Sequence, residues 1–155
     1  ATTIQKAFHY RQVNEGRPEE VFPLLCPVRE KDWIDGWEYD MVYSKSGLAE
    51  EDCVFTTPHH GNSGTIWYIN KHDKQHHIIE FVRFTPGETV VKIHCQLNEL
   101  PGNKTEASIT YQYTGLNEQQ NEFIDNNMQD SFQQSMIYWE KAINYYLQTG
   151  KKLLK

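Results

Sequence analysis

The sequence predicts an α+β fold, in which a curved antiparallel sheet of six or seven strands is covered by one long C-terminal helix. Residues 117–150 repeat apolar side chains at helical spacing over an unusually long stretch. Residues 37–114 alternate apolar and polar side chains in runs separated by short joints rich in Gly, Pro, Asn or Asp. Before them, closely spaced prolines allow only short helices after an N-terminal strand. A chain of 155 residues fits a single domain, here 1–155, with a core of its own.

The predicted C-terminal helix begins at Asn117 and ends at Gly150. Asn117 is a favourable N-cap, and Gln120 three residues later would complete a capping box. Gly150 supplies the left-handed residue at which helices commonly stop. One apolar stripe follows the helix and consists of Ile124, Met128, Phe132, Met136, Trp139, Ile143 and Leu147. The first half of the stripe is sparse, so this half either acts as a lid or projects past the core into water.

The N-terminal part of the chain is predicted to form one strand, Thr3–Val13, and two short helices. Pro18, followed by two glutamates, is typical of a first helical turn. Pro23 and Pro27 limit this helix, and a second one is predicted around Arg29–Trp33. The later strands are joined by short turns, so neighbours in sequence are expected to pair antiparallel. These strands are Trp37–Ser44, Asp52–Thr57, Thr65–Lys71, His76–Thr85, Thr89–Leu97 and Thr105–Thr114.

The alternation also predicts which side chains face the helix. In residues 91–97 the odd positions are apolar and the even positions are polar. Turns centred near Gly102, Gly87, Lys74 and Gly61 would carry this odd register across the sheet, although one bulge would reverse it in a strand. The inner face would then carry rings from Trp37, Tyr39, Tyr43, Phe55, Trp67, Phe81, Tyr111 and Tyr113. One helix over so many rings leaves either a ring-lined cavity, as in small-molecule pockets, or a thick aromatic core.

Composition narrows the classes of function. The formal net charge of −6 and the absence of a run of Lys and Arg argue against a nucleic-acid-binding protein. No apolar run is long enough for a membrane span. Three cysteines without CxxC spacing, and no hydrophobic targeting segment before the fold, favour a cytoplasmic location. The oligomeric state stays open, a homodimer included.

Several segments resemble one superfamily. They are Pro18–Val28, Gly47–Glu50, Cys53–Thr57, Thr65–Trp67 and Phe81–Gly87. In these segments and in the order of its elements, the chain resembles the START-like (SRPBCC) superfamily, which includes pollen-allergen-like proteins and polyketide cyclase/dehydrases. The resemblance implies the helix-grip fold over nearly the whole chain, with a hydrophobic ligand held between sheet and long helix. It implies no catalytic residue, since these segments are structural landmarks.

Arg83 is the most informative single residue. In the odd register it lies on the inner face between Phe81 and Val91. A buried guanidinium needs an anionic partner or several acceptors, so Arg83 is a candidate to bind an acidic group of a ligand. The alternatives are an internal ion pair, for example with Glu80 or Asp40, and an arginine that points outward.

Catalytic and metal-binding signatures are sparse. Histidines 59, 60, 72, 76 and 77 lie in or beside predicted joints and are expected to be solvated rather than to bind metal. Cys95 is expected to behave as a small apolar residue, because no activating neighbour is evident. No GxSxG, P-loop, dinucleotide-binding or HExxH motif occurs. We therefore expect neither a cofactor nor a metal ion, and an enzymatic activity stays undecided.

The sequence thus predicts a protein that binds or carries a small hydrophobic or aromatic ligand with an acidic group between sheet and helix. A cyclase or dehydratase acting in the same cavity is the first alternative, with Tyr111, Tyr113 and Arg83 polarising a carbonyl. A protein-interaction module of the chaperone-activator type, with a filled interior, is the second. The predicted ligand-binding residues are Trp37, Tyr39, Phe55, Trp67, Phe81, Arg83, Tyr111, Tyr113, Met128 and Phe132.

Overall fold

A computed structural model describes residues 3–59 and 62–155. Its strands are β1 Gln5–Asn14, β2 Asp40–Tyr43, β3 Val54–His59, β4 Asn62–Asp73, β5 Ile78–Thr85, β6 Thr89–Leu100 and β7 Lys104–Gly115. Its helices are α1 Pro18–Val21, α2 Pro27–Trp33, α3 Glu118–Asn126 and α4 Met128–Thr149, with a 3₁₀ turn at Phe22–Leu24. The predicted α+β class is confirmed. Apart from β2, the predicted strand ends differ from these by at most three residues.

The strands form one antiparallel sheet in the order β1-β7-β6-β5-β4-β3-β2. From β2 to β7 each strand pairs with its neighbour in sequence, as the short joints predicted. The N-terminal strand β1 then pairs with β7, so β1 and β2 occupy the two edges. The predicted turn centre at Gly61, like His60, lies outside the described residues.

The odd register on the inner face is confirmed at the centre of the sheet. Phe55, Trp67, Arg83, Val91 and Tyr113 follow one another as direct partners across β3, β4, β5, β6 and β7. The inner positions nearest the core are buried, whereas the alternate apolar residues of the middle strands, such as Ile66 and Phe84, are about 40% exposed. The alternation of these strands was ambiguous in sequence, and their pairing partners decide it.

The hairpin of β4 and β5 contains a bulge that sequence did not predict. Ile69 pairs with Phe81, but the next pair is Lys71 with Glu80, so Asn70 is an extra residue in β4. Beyond it the inner position is even-numbered: His72 lies opposite Ile79. The bulge therefore brings a histidine to the inner side at this end of the sheet.

The predicted strand Trp37–Ser44 is wrong in extent and at one position. Only Asp40–Tyr43 pairs with β3, and the register shifts between Met41 and Tyr43. Tyr43 is consequently 55% exposed and not part of the inner face. Trp37 lies ahead of the strand, and its indole N–H donates to the carbonyl of Pro27 at 2.9 Å. The ring is held inward by this hydrogen bond rather than by strand alternation.

The single C-terminal helix is also corrected, because it is two helices that meet at Asn127. The backbone of Asn127 (φ −127°, ψ −19°) is not helical, and α4 begins after it. The predicted ends are confirmed: Asn117 Oδ1 accepts from the Gln120 N–H at 2.8 Å, and Gly150 is left-handed at φ 69°. The Gln120 side chain donates to Glu88 instead of closing a capping box.

The helix α4 is anchored to the edge strand β1 by polar side chains. Glu140 accepts hydrogen bonds from the Tyr10 hydroxyl and the Val13 N–H, both at 2.7 Å. Asn144 accepts from the Glu15 N–H and donates to the Val13 carbonyl. These bonds fix the angle at which the apolar stripe of α4 crosses the sheet. No helix in the described part of the chain is long and apolar enough to cross a membrane.

Candidate functional site

A cavity of about 530 Å³ lies between the inner face of the sheet and the helices α3 and α4. It opens to the surface where the end of β3 and the β5–β6 turn approach α3. Its walls combine rings and apolar side chains with many polar residues, among them Thr57, Thr65, Thr85, Thr89, Ser131 and Ser135. The rings belong to Trp37, Trp67, Tyr111, Tyr113, Phe123, Phe132 and Trp139. The volume is in the range of small-molecule pockets.

Arg83 is the cation of this cavity. Its Cζ atom lies 5.2 Å from the centroid of the Trp67 ring and 5.9 Å from that of Tyr111. Arg83 forms no ion pair with any residue that the structure describes. Glu80, one of the partners considered above, instead accepts from Asn70 and pairs with His94 on the outer side. The guanidinium is therefore held by aromatic faces, which attract a cation but do not neutralise it.

Tyr111 and Tyr113 bring two hydroxyl groups to the same place. Burial raises the pKa of both hydroxyls, and the positive charge of Arg83 only partly opposes this. Both tyrosines are therefore neutral and can donate a hydrogen bond at any physiological pH. The Tyr113 hydroxyl is within reach of the guanidinium, from which it can accept. Three polar groups thus converge on one part of the wall.

The structure divides the ten predicted ligand-binding residues into two groups. Seven line the cavity: Trp37, Trp67, Arg83, Tyr111, Tyr113, Met128 and Phe132. Three lie behind them: Phe55 stacks on Trp67 at 5.3 Å, Phe81 meets Trp67 edge-on at 6.0 Å, and Tyr39 meets Phe55 edge-on at 6.4 Å. Phe55 and Phe81 thus orient Trp67, and Tyr39 supports Phe55 from behind.

Comparison with known sequences finds no similar protein, whereas comparison with solved structures finds proteins of the same fold. No protein-family model matches the chain, and no curated protein is significantly similar to it. The solved structure of Ara h 8.0201 has a TM-score of 0.68 at 15% identity, covering 94% of this chain and 99% of that one. The Zhui aromatase/cyclase from Streptomyces sp. R1128 has a TM-score of 0.68 at 7% identity, covering 97% and 100%. Norcoclaurine synthase from Thalictrum flavum, in complex with dopamine and hydroxybenzaldehyde, has 0.67 at 9%, covering 96% and 90%.

The chain shares the helix-grip fold of these solved structures. At identities of 7–15% the likeness establishes the fold alone. The superfamily resemblance noted in the sequence is therefore confirmed for the architecture, and the function has to be argued from the cavity.

The mouth of this helix-grip cavity carries polar residues that sequence did not single out. The His59 Nε2 atom lies 2.6 Å from Glu88 Oε2, and Gln120 donates to the other oxygen of Glu88 at 3.3 Å. A strand end, a turn and α3 are thereby tied together at the opening. Only the fold brings these residues close, because they are about 30 positions apart in sequence. Met136 and Trp139 also line the cavity and were visible in sequence only as part of the apolar stripe.

Solvated turn histidines were expected, and this is wrong for two of them. His72 and His77 both pack on the buried ring of Phe22, with centroid distances of 5.2 Å and 5.4 Å. They line a second depression of about 380 Å³ beneath the 3₁₀ turn. His76 is exposed and pairs with Asp73. No group of three potential metal ligands occurs among the described residues.

Cys95 is buried on the inner face, as its odd position predicted. Burial, and secondarily the charge of Glu30, raise the pKa of its thiol to about 12. A thiol with so high a pKa is not a nucleophile at neutral pH. All three cysteines are free and buried.

Proposed function

We propose that the chain binds a small aromatic or acyl molecule with an acidic group in the cavity between sheet and helices. The observation that carries this proposal is an arginine that has no anionic partner among the described residues and is held among rings in a space large enough for a ligand.

The charge of Arg83 supports an acidic ligand. The chain has 21 Asp and Glu residues and a net charge of −6, so carboxylates are abundant. Nevertheless, no described carboxylate pairs with Arg83. A partly buried guanidinium gains most from a carboxylate that it can bind through two parallel hydrogen bonds. A ligand carboxylate near Trp67 would supply this partner, and the Tyr111 and Tyr113 hydroxyls could donate further hydrogen bonds to it.

The wall of the cavity supports an aromatic or acyl body for the ligand. Rings from the sheet and from the helices line the space, and Tyr111 of the sheet packs edge-on against Phe132 of α4, with centroids 5.1 Å apart. A planar or flexible apolar molecule gains from such walls by apolar burial and by ring stacking.

The proposal is tested first by native mass spectrometry of protein purified from cells, in which we expect a bound acidic molecule. A defined probe, 2-naphthoate, then tests the arginine by fluorescence titration. Arg83→Met should weaken binding about 10- to 100-fold, because a charged hydrogen-bonded pair contributes about 1.5–3 kcal/mol. The exposed Arg11 on β1 gives the matched control, Arg11→Met, which should bind like the unmodified protein. If Arg83→Met keeps its fold and the full affinity, the proposal is wrong.

A cyclase or dehydratase acting in this cavity is the second candidate. What favours it is the convergence of the Arg83 guanidinium with two neutral tyrosine hydroxyls, since such donors could stabilise an enolate oxygen. A linear polyketone substrate should be converted by the protein and more slowly by Tyr111→Phe. Equal rates with and without protein would leave only the binding function.

The third candidate, a protein-interaction module, depended on a filled interior, and the cavity gives it no support. Its outer sheet face does carry exposed apolar residues, namely Ile66, Tyr68 and Phe84.

A further inference from the structure

Four threonines form a row across the inner face of the sheet, at the end where the cavity opens. Thr57 of β3 pairs with Thr65 of β4, and Thr85 of β5 pairs with Thr89 of β6. Side chains join the two halves of this threonine row, because the hydroxyl oxygens of Thr65 and Thr85 lie 2.9 Å apart. All four residues line the cavity. The threonine row is therefore a continuous polar strip along one wall.

Further from the mouth, the inner positions of the same strands are apolar apart from one arginine. Across the four strands the next two rows hold Phe55, Trp67, Arg83 and Val91, and then Cys53, Ile69, Phe81 and Ile93. Threonine fits a strand well, but valine would fit it equally and would bury no hydroxyl group. Thr65 and Thr85 are only 6% and 7% exposed, so their hydroxyl groups cost free energy unless they are hydrogen-bonded.

The threonine row has more hydrogen-bond donors than described acceptors. Thr65 and Thr85 share one hydrogen bond, so one of their two hydroxyl protons has no acceptor among the described residues. The Thr57 oxygen accepts from the Trp67 indole N–H at 2.9 Å, and the Thr57 proton stays available for a further bond. The hydroxyl of Thr89 forms no hydrogen bond with any described residue. Buried donors are normally satisfied, and the cavity that these residues line is the space from which a partner can come.

The threonine row lies between Arg83 and the mouth of the cavity. Thr85 follows Arg83 by two residues along β5, and both side chains are on the inner face. At about 3.4 Å per residue, the two levels are roughly 7 Å apart. A small molecule whose acidic group meets Arg83, and whose other end points to the mouth, therefore passes directly over the row.

We propose that the threonine row, centred on the Thr65–Thr85 pair, determines ligand specificity by hydrogen-bonding an oxygen substituent of the ligand on the mouth side of its acidic group. Threonine hydroxyls can donate to a hydroxyl or a carbonyl oxygen and can accept from a hydroxyl. This inference rests on the proposed function and narrows it, because it names the ligand class: an aromatic or acyl acid with a hydroxyl or keto group remote from the acid. The row discriminates such acids from equally large ones with a hydrocarbon group at that place.

Two probes of matched shape test this by isothermal titration calorimetry. The first is 6-hydroxy-2-naphthoate, which carries a hydroxyl group remote from its carboxylate. The second is 6-methyl-2-naphthoate, which has nearly the same outline without the oxygen. The unmodified protein should bind the hydroxy probe about three- to tenfold more tightly, the gain of one neutral hydrogen bond. Equal affinities, or a preference for the methyl probe, would overturn the inference.

A double variant separates the threonines from the other polar groups at the mouth. Thr65→Val with Thr85→Val removes both partners of one hydrogen bond and keeps their shape, so the fold should be retained. Its preference for the hydroxy probe should be lost, while the methyl probe should bind as well as before or better. The matched control is Thr56→Val, which alternates with Thr57 and lies on the outer face, and it should keep the preference. A preference that survives in the double variant would belong to another group at the mouth, such as Glu88, and would overturn the role of the row.

The two proposals fail in different ways. If both probes bind equally and Arg83→Met weakens both, the inference about the threonine row is wrong and the anion site stands. If neither probe binds, or Arg83→Met changes neither affinity, the proposed function fails and this inference falls with it.

Discussion

Replacing Glu30 by Gln should change how the stability of the protein depends on pH. In the folded protein burial raises the pKa of Glu30 from 4.5 to about 8, so the folded state holds this proton more tightly than the unfolded chain. The contribution of this bound proton to the stability of the fold is therefore fully present below about pH 4.5, and it is lost as the pH rises to about 8. At about 1.4 kcal/mol per pKa unit, the loss is roughly 3 kcal/mol by pH 7 and 4–5 kcal/mol by pH 9. Gln does not titrate and escapes this loss.

The assay is urea unfolding followed by tryptophan fluorescence at a series of pH values between about 5 and 9. The free energy of unfolding of Glu30→Gln, minus that of the unmodified protein, should rise by several kcal/mol across this range. The control is Glu122→Gln, at an exposed position of α3, for which the difference should stay constant. Parallel curves for the unmodified protein and Glu30→Gln would refute the reasoning, because they would mean that Glu30 is ionised in the folded state.

Two further predictions concern the helices that close the cavity. Asn117→Ala should lower the free energy of unfolding, measured in urea, by about 1–2 kcal/mol, because the N-cap hydrogen bond from the Gln120 N–H is lost. The control is Gln119→Ala, at an exposed position of the same helix, which should change the free energy of unfolding little. Glu140→Ala should cost about 1–3 kcal/mol and increase amide hydrogen exchange at Val13, because the Val13 N–H and the Tyr10 hydroxyl lose their shared acceptor. Unchanged exchange at Val13 would mean that this bond does not hold α4 to β1.

The strand order and most of the inner face could be predicted because the information is local. Short joints leave neighbouring strands little choice but to pair antiparallel, and alternation along β6 and β7 marks their inner residues. The odd register across β4 and β5 was nevertheless predicted from a turn centred near Lys74. In the structure the hairpin turn pairs Asp73 with Ile78, which is the opposite register, and the bulge at Asn70 restores the predicted one. The agreement at Trp67 and Arg83 therefore results from two compensating features.

The errors occurred where packing, not pattern, fixes the backbone. The apolar stripe continues from Ile124 to Met128 across Asn127, so periodicity gave no reason to end a helix there. Tyr43 follows the alternation but is turned outward by the shift in β2. Each of these is a local departure from regular geometry, to which an alternation pattern is insensitive.

Part of the candidate site could be predicted, because strand alternation is a local property of the sequence. Ring-bearing strand residues such as Trp67 and Tyr111 were identified because strand geometry alone places them inward. Glu88 and Gln120 were not, because only the fold brings these two residues, 32 positions apart in sequence, to the same part of the cavity.

The sequence by itself determined the architecture of this protein, because periodicity, turn residues and caps act between residues close together in the chain. The tertiary structure alone decided that a cavity exists, that Arg83 lacks an anionic partner among the described residues and that Glu30 is buried. These are properties of the space between elements distant in sequence, and they depend on how α2, α3 and α4 pack over the sheet.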